Sequence, residues 1–270
     1  MAGDFEKMTF EVDDGVAIVT INRPEARNAL NDEVRRDLDR AITQIEDGAG
    51  ATIHAVVLTG AGGAFCAGGD LNALKESSGK AASHTRQRLR ESHRLLTKWL
   101  NLDVPTIAAV DGAAAGAGFS LAMACDFIIA SPRARFILSF GRIGLVPDWG
   151  ALYLLPRIVG LQKAKELSFS ARILGAEEAH ALGIVYEMAA EGEAVAQAIA
   201  FANRFRNAST LAIGMTKSML NQSFERDLAT SLDLEASAQA IANNSDYHRA
   251  AVERFLDKQP SLFDWEKQGG

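Results

Sequence analysis

Apolar positions along this chain keep two rhythms in turn. In the first two thirds, short β-branched runs each empty into a turn of small residues: GVAIVTINRP at 15–24, IHAVVLTGAGGAFCAGGDL at 53–71, VPTIAAVDGAAAGAG at 104–118 and CDFIIASPRARFIL at 125–138. Apolar runs of this length, closed by Gly, Asp or Pro, predict strands. Between them NDEVRRDLDRAITQIE at 31–46 has helical spacing, with Val34, Leu38, Ala41, Ile42 and Ile45 on one face and Asn31 or Asp32 as cap. Segments 8–12 and 15–21 straddle Asp13, Asp14 and Gly15 and predict a hairpin. After about residue 190 the pattern becomes nearly unbroken helix: EAVAQAIAFANRFRNA, TLAIGMTKSMLNQ, DLATSLDLEASAQAIANN and DYHRAAVERFLDK. No Pro/Gly linker precedes that tail. The chain is therefore expected to form a strand–turn–helix core over 1–195 and a helical region over 196–270 that packs on the core or on a neighbouring subunit. Leu228, Leu232, Leu234 and Ile241 of the tail are expected in a core or an interface.

Composition narrows the function classes. With 270 residues, 48% of them hydrophobic, and six prolines, the chain can bury a full core. Asp and Glu outnumber Lys and Arg by 34 to 28, and no basic stripe interleaves with aromatics, which argues against nucleic acid as a partner. The two cysteines, Cys66 and Cys125, and an opening MAGDFEKMTFEV without a charged-then-apolar leader lead to the expectation of a cytoplasmic, reduced protein. DGAAAGAGFSLAMACDFIIA is the longest apolar stretch, and Asp126 and its glycines interrupt it, so no membrane span is expected. Five histidines without ligand spacing and no C-x-x-C argue against a metal site.

Two turns stand out for their small residues, GAGGAFCAGGDL at 60–71 and DGAAAGAGFSLAMA at 111–124. Neither has the third glycine of G-x-G-x-x-G, and no G-x-x-x-x-G-K-[ST] occurs, so dinucleotide and P-loop readings fail. GFSLA around Ser120 likewise lacks the second glycine of a nucleophile elbow. Further on, GLVPDWGALYLLPR at 144–157 sets Asp148 before an apolar run. That carboxylate is either a helix cap or a chemical group.

NRPEARNAL, FCAGGDL, AAAGAGFSLAMACD, GLVPDWGALYLLPR and the late FLDK, in this order and over nearly the whole chain, resemble the crotonase (enoyl-CoA hydratase/isomerase) family. The resemblance implies an α/β fold, a crotonase-like spiral of repeated ββα units with a C-terminal helical extension. It also implies a homotrimer or dimer of trimers, in which the extension completes the CoA site. The substrate would be an acyl-CoA thioester, so coenzyme A enters as part of the substrate and no separate cofactor is needed. An enolate oxygen would be held by the backbone N–H groups of Gly69 and Ala117; the latter opens the helix-like AGFSLAMA, where unpaired N–H groups favour negative charge. Arg27 matches the position that approaches the CoA phosphates, and Ala67 and Asp70 match the adenine-facing loop. Phe255 and Lys258 match tail residues that reach the nucleotide from an adjacent subunit. Arg27 and Lys258 also read as solvated surface charges, and Asp70 as a cap for LNALKES.

Hydratases of that family hold water between two glutamates, and their places here are Ser120 and Phe140. A 1,3-shift of a double bond needs only one acid/base and a held enolate. LVPDWGALYLLPRIVG resembles the family's isomerase branch of phenylacetate degradation, which converts a ring-epoxide CoA thioester to its oxepin and shifts enoyl double bonds. That implies Asp148 as the acid/base. Leu74, Phe140, Leu145 and Trp149 are expected to form an apolar pocket that raises its pKa, although each also reads as core. Three alternatives stay open: a hydratase-like lyase with a non-standard site, an aryl-CoA dehalogenase-type hydrolase, and a non-catalytic acyl-CoA binder. The hydrolase would use Asp148 as nucleophile with a histidine, His93 or His84, from the helix after the first turn.

Overall fold

A computed structural model describes residues 5–77 and 79–265, the side chains of Leu74 and Ser77 excepted. Its core runs β1 (Met8–Asp13), β2 (Val16–Ile21), α1 (Asp32–Gly48), β3 (Ala55–Gly60), α2 (Leu71–Ser77), α3 (Ala82–Leu100), β4 (Thr106–Val110), β5 (Ala113–Ala115), α4 (Ala117–Met123), β6 (Phe127–Ala130) and β7 (Arg135–Ile137). There follow α5 (Ala151–Ser170), β8 (Leu174–Gly175), α6 (Ala176–Ala181), β9 (Glu187–Met188), α7 (Ala194–Asn203), α8 (Thr210–Asn221), α9 (Leu228–Asn243) and α10 (Asp246–Leu256). The architecture is α/β, as expected, with a helical extension at the C-terminal end.

Six strands form the main sheet in the order β1-β2-β3-β4-β6-β9, and β5-β7-β8 form a small second one. Only the β1–β2 hairpin is antiparallel within the main sheet. It turns through Asp14 and Gly15, both at positive φ, as the DDG signal predicted. Because side chains alternate along a strand, each central strand serves two faces. Val56, Leu58, Ala108, Val110 and Ile128 join the larger core with α1 and α3. Ala55, Val57, Ile107, Ala109 and Ile129 meet α7 on the other face. That double burial explains why these strands read as continuous apolar runs. Of the two candidate caps for α1, Asn31 acts, its side chain accepting from Val34 N at 3.0 Å.

The expected boundary at 195/196 falls inside α7. Ala194, Ala198, Phe201 and Ala202 of this helix are buried against the sheet, so by packing α7 belongs to the core. The extension proper begins with α8, which Lys217 anchors: its buried Nζ donates to Asp126 Oδ2 at 2.7 Å and to Val104 O at 3.1 Å. α9 and α10 bury no residue within the chain. Leu228, Leu232 and Ile241 are exposed, so none of the three is core of this chain. No helix among the described residues is long and apolar enough to cross a membrane.

Candidate active site

Two turns and one helix entrance meet at the C-terminal ends of β2, β3 and β4. Asn28, from the NRPEARNAL stretch, is fully buried and fastens the first of them. Its Oδ1 accepts from Arg23 N at 2.9 Å, and its Nδ2 donates to Ala61 O and Ala64 O at 2.8 and 2.7 Å. The chain then passes through 66–70 between two neighbours, bent at Gly68, and bonds to both through isolated bridges. Cys66 faces β5, donating to Ala113 O and accepting from Ala115 N. Ala67 N donates to Arg27 O, Gly68 O accepts from Leu30 N, and Asp70 N donates to Leu30 O. In the parallel Leu30–Gly69 bridge the bonds to Leu30 come from Gly68 O and Asp70 N, so the Gly69 N–H points away from Leu30, toward the β5 side. There β5 has already turned away at Gly116 (φ 52°) to start α4. No acceptor among the described residues takes the Gly69 N–H.

Ala117 is the first residue of α4 and has no acceptor four residues back inside the helix. Its N–H too lacks an acceptor among the described residues. The two turns touch backbone to backbone: a Cβ on Gly68 (φ 91°) would lie 2.6 Å from Ala115 O and 3.2 Å from Ala117 N. Glycine is needed at 68 on both counts. Gly69 and Ala117 thus line one cavity with two unengaged donors.

Asp148 faces the same cavity, but not as a cap. Trp149 and Gly150 both adopt left-handed backbone (φ 50° and 75°), so the cap of α5 falls on Gly150, without any side-chain bond. It is the Asp148 carbonyl that is engaged, accepting from Ala151 N at 3.1 Å and from Ser120 Oγ at 2.9 Å. The buried Ser120, at the place of a hydratase glutamate, therefore ties the Asp148 backbone to the first turn of α4. The Asp148 carboxylate is left over: Oδ1 is buried and has no hydrogen-bond partner. Burial pushes this carboxyl up to about 6, against the pull of the nearby Arg88 guanidinium.

The cavity encloses about 740 Å³, bounded by Arg27, Ala67, Gly69, Asp70, Ala117, Phe140, Leu145, Asp148 and Trp149 among others. Most expected site residues therefore come together. Phe140 and Trp149 are buried, whereas Leu145 is exposed at the rim. The Leu74 side chain lies outside the described residues. Arg27 is exposed, with no ion pair among the described residues, and sits in left-handed backbone at φ 50°. Asp70 does cap α2, Oδ1 accepting from Asn72 N and Ala73 N, while Oδ2 accepts from Arg23 Nη1 at 2.5 Å. Its carboxylate is thus committed, and its pKa is lowered, the hydrogen bonds to Arg23, Ala73 and Asn72 outweighing the effect of burial. Phe255 and Lys258 do not line the cavity of their own chain; Phe255 is 80% exposed. Neither His84 nor His93 borders it, and both are exposed.

Sequence reasoning missed Arg88, which lines the cavity with Leu89 and Ser92. The signal was present: counted back from Trp99, the buried positions Leu96, Leu95 and Ser92 continue at helical spacing to 88. A charged residue on that stripe is worth noticing.

Residues 11–268 match the family model described as enoyl-CoA hydratase/isomerase, and the chain belongs to that family. It is 36% identical over 253 residues to the 1,2-epoxyphenylacetyl-CoA isomerase of Escherichia coli (strain K12), covering 93% of this chain and 96% of that one. It is also 33% identical to a short-chain-enoyl-CoA hydratase of Clostridium acetobutylicum, over 95% and 97% of the two chains. Among solved structures, an enoyl-CoA hydratase/isomerase from Cupriavidus metallidurans CH34 superposes with a TM-score of 0.91 at 42% identity, covering 97% of each chain. The family acts on acyl-CoA thioesters, through hydration or isomerisation.

Proposed function

We propose that the protein is an acyl-CoA isomerase, shifting a double bond or opening a ring epoxide to an oxepin through a thioester enolate. Asp148 takes a proton from carbon, the Gly69 and Ala117 N–H groups hold the enolate oxygen, and the same carboxyl returns the proton elsewhere. One observation carries this reading: a single carboxylate in the cavity is free to act. Glu25 and Asp70 also line it, but Arg23 engages both, at 3.9 and 2.5 Å. A pair of carboxylates able to hold water is missing from the described lining, which favours isomerisation over hydration. Similarity to the Escherichia coli isomerase supports the same choice.

Arg27 and the 67–70 loop are assigned to the CoA moiety. The exposed faces of α9 and α10 are assigned to contacts between copies in a homotrimer or dimer of trimers, with Phe255 and Lys258 contributed to a neighbour's CoA. The hydratase names among relatives favour a second reading, addition of water assisted by Asp148 alone. A 3-enoyl-CoA incubated with enzyme in deuterated water separates the two. Isomerisation yields a 2-enoyl-CoA, carrying deuterium only as far as the proton on Asp148 exchanges with solvent before its return, and Asp148→Asn slows it by about 10²–10⁴-fold. A 3-hydroxyacyl-CoA as main product, or an undiminished rate in Asp148→Asn, overturns the isomerase reading.

A further inference from the structure

We propose that Arg88 selects acyl groups carrying a neutral acceptor oxygen, of ether or carbonyl type, on the part remote from the thioester. The inference rests on the acyl-CoA reading of the same cavity and adds what its wall at Arg88 recognises.

Arg88 Nε and Asp148 Oδ1 are both buried, both lack a hydrogen-bond partner, and belong to residues that line one cavity. They do not pair with each other: no ion pair joins Arg88 to Asp148 among the described residues. Other arginines around the cavity are committed. Arg23 Nη1 donates to Asp70 and to Ala29 O, Arg35 to Asp32, and Arg142 Nε to Ala171 O. Arg27 is exposed. Leu89, Phe140 and Trp149 line the same cavity, and no carbonyl or carboxylate of the described residues accepts from Arg88 Nε. A buried N–H without an acceptor is disfavoured unless a bound molecule brings one.

The acceptor is a neutral one on electrostatic grounds. Arg88 also borders the polar cleft between α1 and α3 with Asp32, Glu91 and Arg94, which gives its charge a solvated side. Inside the cavity Asp148 already faces it and feels its field. A carboxylate on the acyl group would set a second negative charge against Asp148 in a poorly solvated space. An ether or carbonyl oxygen accepts the Nε proton without that penalty.

The test uses saturated thioesters, which have no double bond to shift, so binding is read without turnover. Cyclohexylacetyl-CoA is compared by calorimetry with the 2-, 3- and 4-oxanylacetyl-CoAs, in which one ring CH₂ becomes oxygen, and hexanoyl-CoA with its carboxylate analogue adipyl-CoA. At least one oxane is expected to bind the wild-type protein about tenfold more tightly than the carbocycle, as a hydrogen bond from a charged donor provides. Arg88→Met and Arg88→Lys, which both remove the Nε–H, are expected to erase that preference, so that oxanes and carbocycle bind each variant within about twofold of one another. Equal binding of carbocycle and oxanes, a preference that survives both variants, or a larger gain for adipyl-CoA overturns the inference and leaves the acyl-CoA reading standing. If no thioester binds, the acyl-CoA reading falls and takes this inference with it. Equal binding of carbocycle and oxanes by the wild-type protein overturns the inference even if neither variant folds.

Discussion

Replacing Asp148 by asparagine is expected to stabilise the protein while removing its activity. The carboxyl is raised from the ordinary 3.8 to about 6, chiefly by burial. At about 1.4 kcal/mol per tenfold change in acidity, the ionised side chain costs the folded state about 3 kcal/mol at pH 8. The sign follows from where the charge sits. Above a pH of about 6 the folded protein carries the carboxylate in its dry position and the whole cost is present. Between about 6 and 3.8 the folded form protonates first and the cost fades; below 3.8 both forms are neutral and nothing remains. Asparagine mimics the neutral acid, so Asp148→Asn should gain about 2–3 kcal/mol at pH 8 and roughly half of that at pH 5. Urea denaturation of both proteins at the two pH values measures the difference. A variant less stable than wild type at pH 8 would mean that the carboxylate is satisfied in the fold, and an equal gain at both pH values would mean that its charge is irrelevant. Either result refutes the assignment of Asp148 as a desolvated base.

Other outcomes follow from the same geometry. The rising limb of kcat/KM against pH should have its midpoint near 6, where Asp148 ionises, and Arg88→Met should move it upward because the field that lowers this pKa is removed. Gly68→Ala should cost about 2–4 kcal/mol and reduce kcat at least about tenfold, since its Cβ would press on Ala115 O and Ala117 N. Gly63→Ala, at φ 79° with no atom near its Cβ, is the control for backbone strain alone and should leave kcat unchanged. Lys217→Met should cost about 3–5 kcal/mol in urea denaturation, because Asp126 loses the cation on its Oδ2; adding Asp126→Asn should recover part of the loss.

Much of this was legible in the chain because it is local. Strand runs, the hairpin, the α1 cap and the tail helices follow from period, propensity and turn residues within a few positions. The resemblance of five motifs brought Gly69, Ala117, Asp148, Phe140 and Trp149 to one cavity. What escaped depends on packing at a distance. An aspartate before an apolar run reads as a cap, and nothing local tells that Trp149, a bulky residue at positive φ, delays the helix and frees the carboxylate. Ser120 looked like a lost glutamate, and only the approach of the 148 backbone to α4 reveals its bond to the Asp148 carbonyl. Arg88 was passed over because a charge in RQRLRESHR reads as solvated until α3 is seated against the cavity. Leu228 and Leu232 of α9 read as core or interface, but their own chain leaves them exposed, whereas Leu234 is partly covered.

The two thiols offer a clock for the site. Cys66 and Cys125 are both buried and their pKa values are pushed up to about 12 by burial, so at neutral pH neither presents a thiolate to an alkylating reagent. Cys66 lies under the Gly68–Gly69 turn, its Sγ accepting from Gly68 N at 3.4 Å and its carbonyl closing against Gly118. Iodoacetamide labelling of Cys66 therefore requires that turn to lift away. The labelling rate, followed by mass spectrometry as thioester is added, counts how often the two N–H donors of the cavity come apart and how firmly a ligand holds them together.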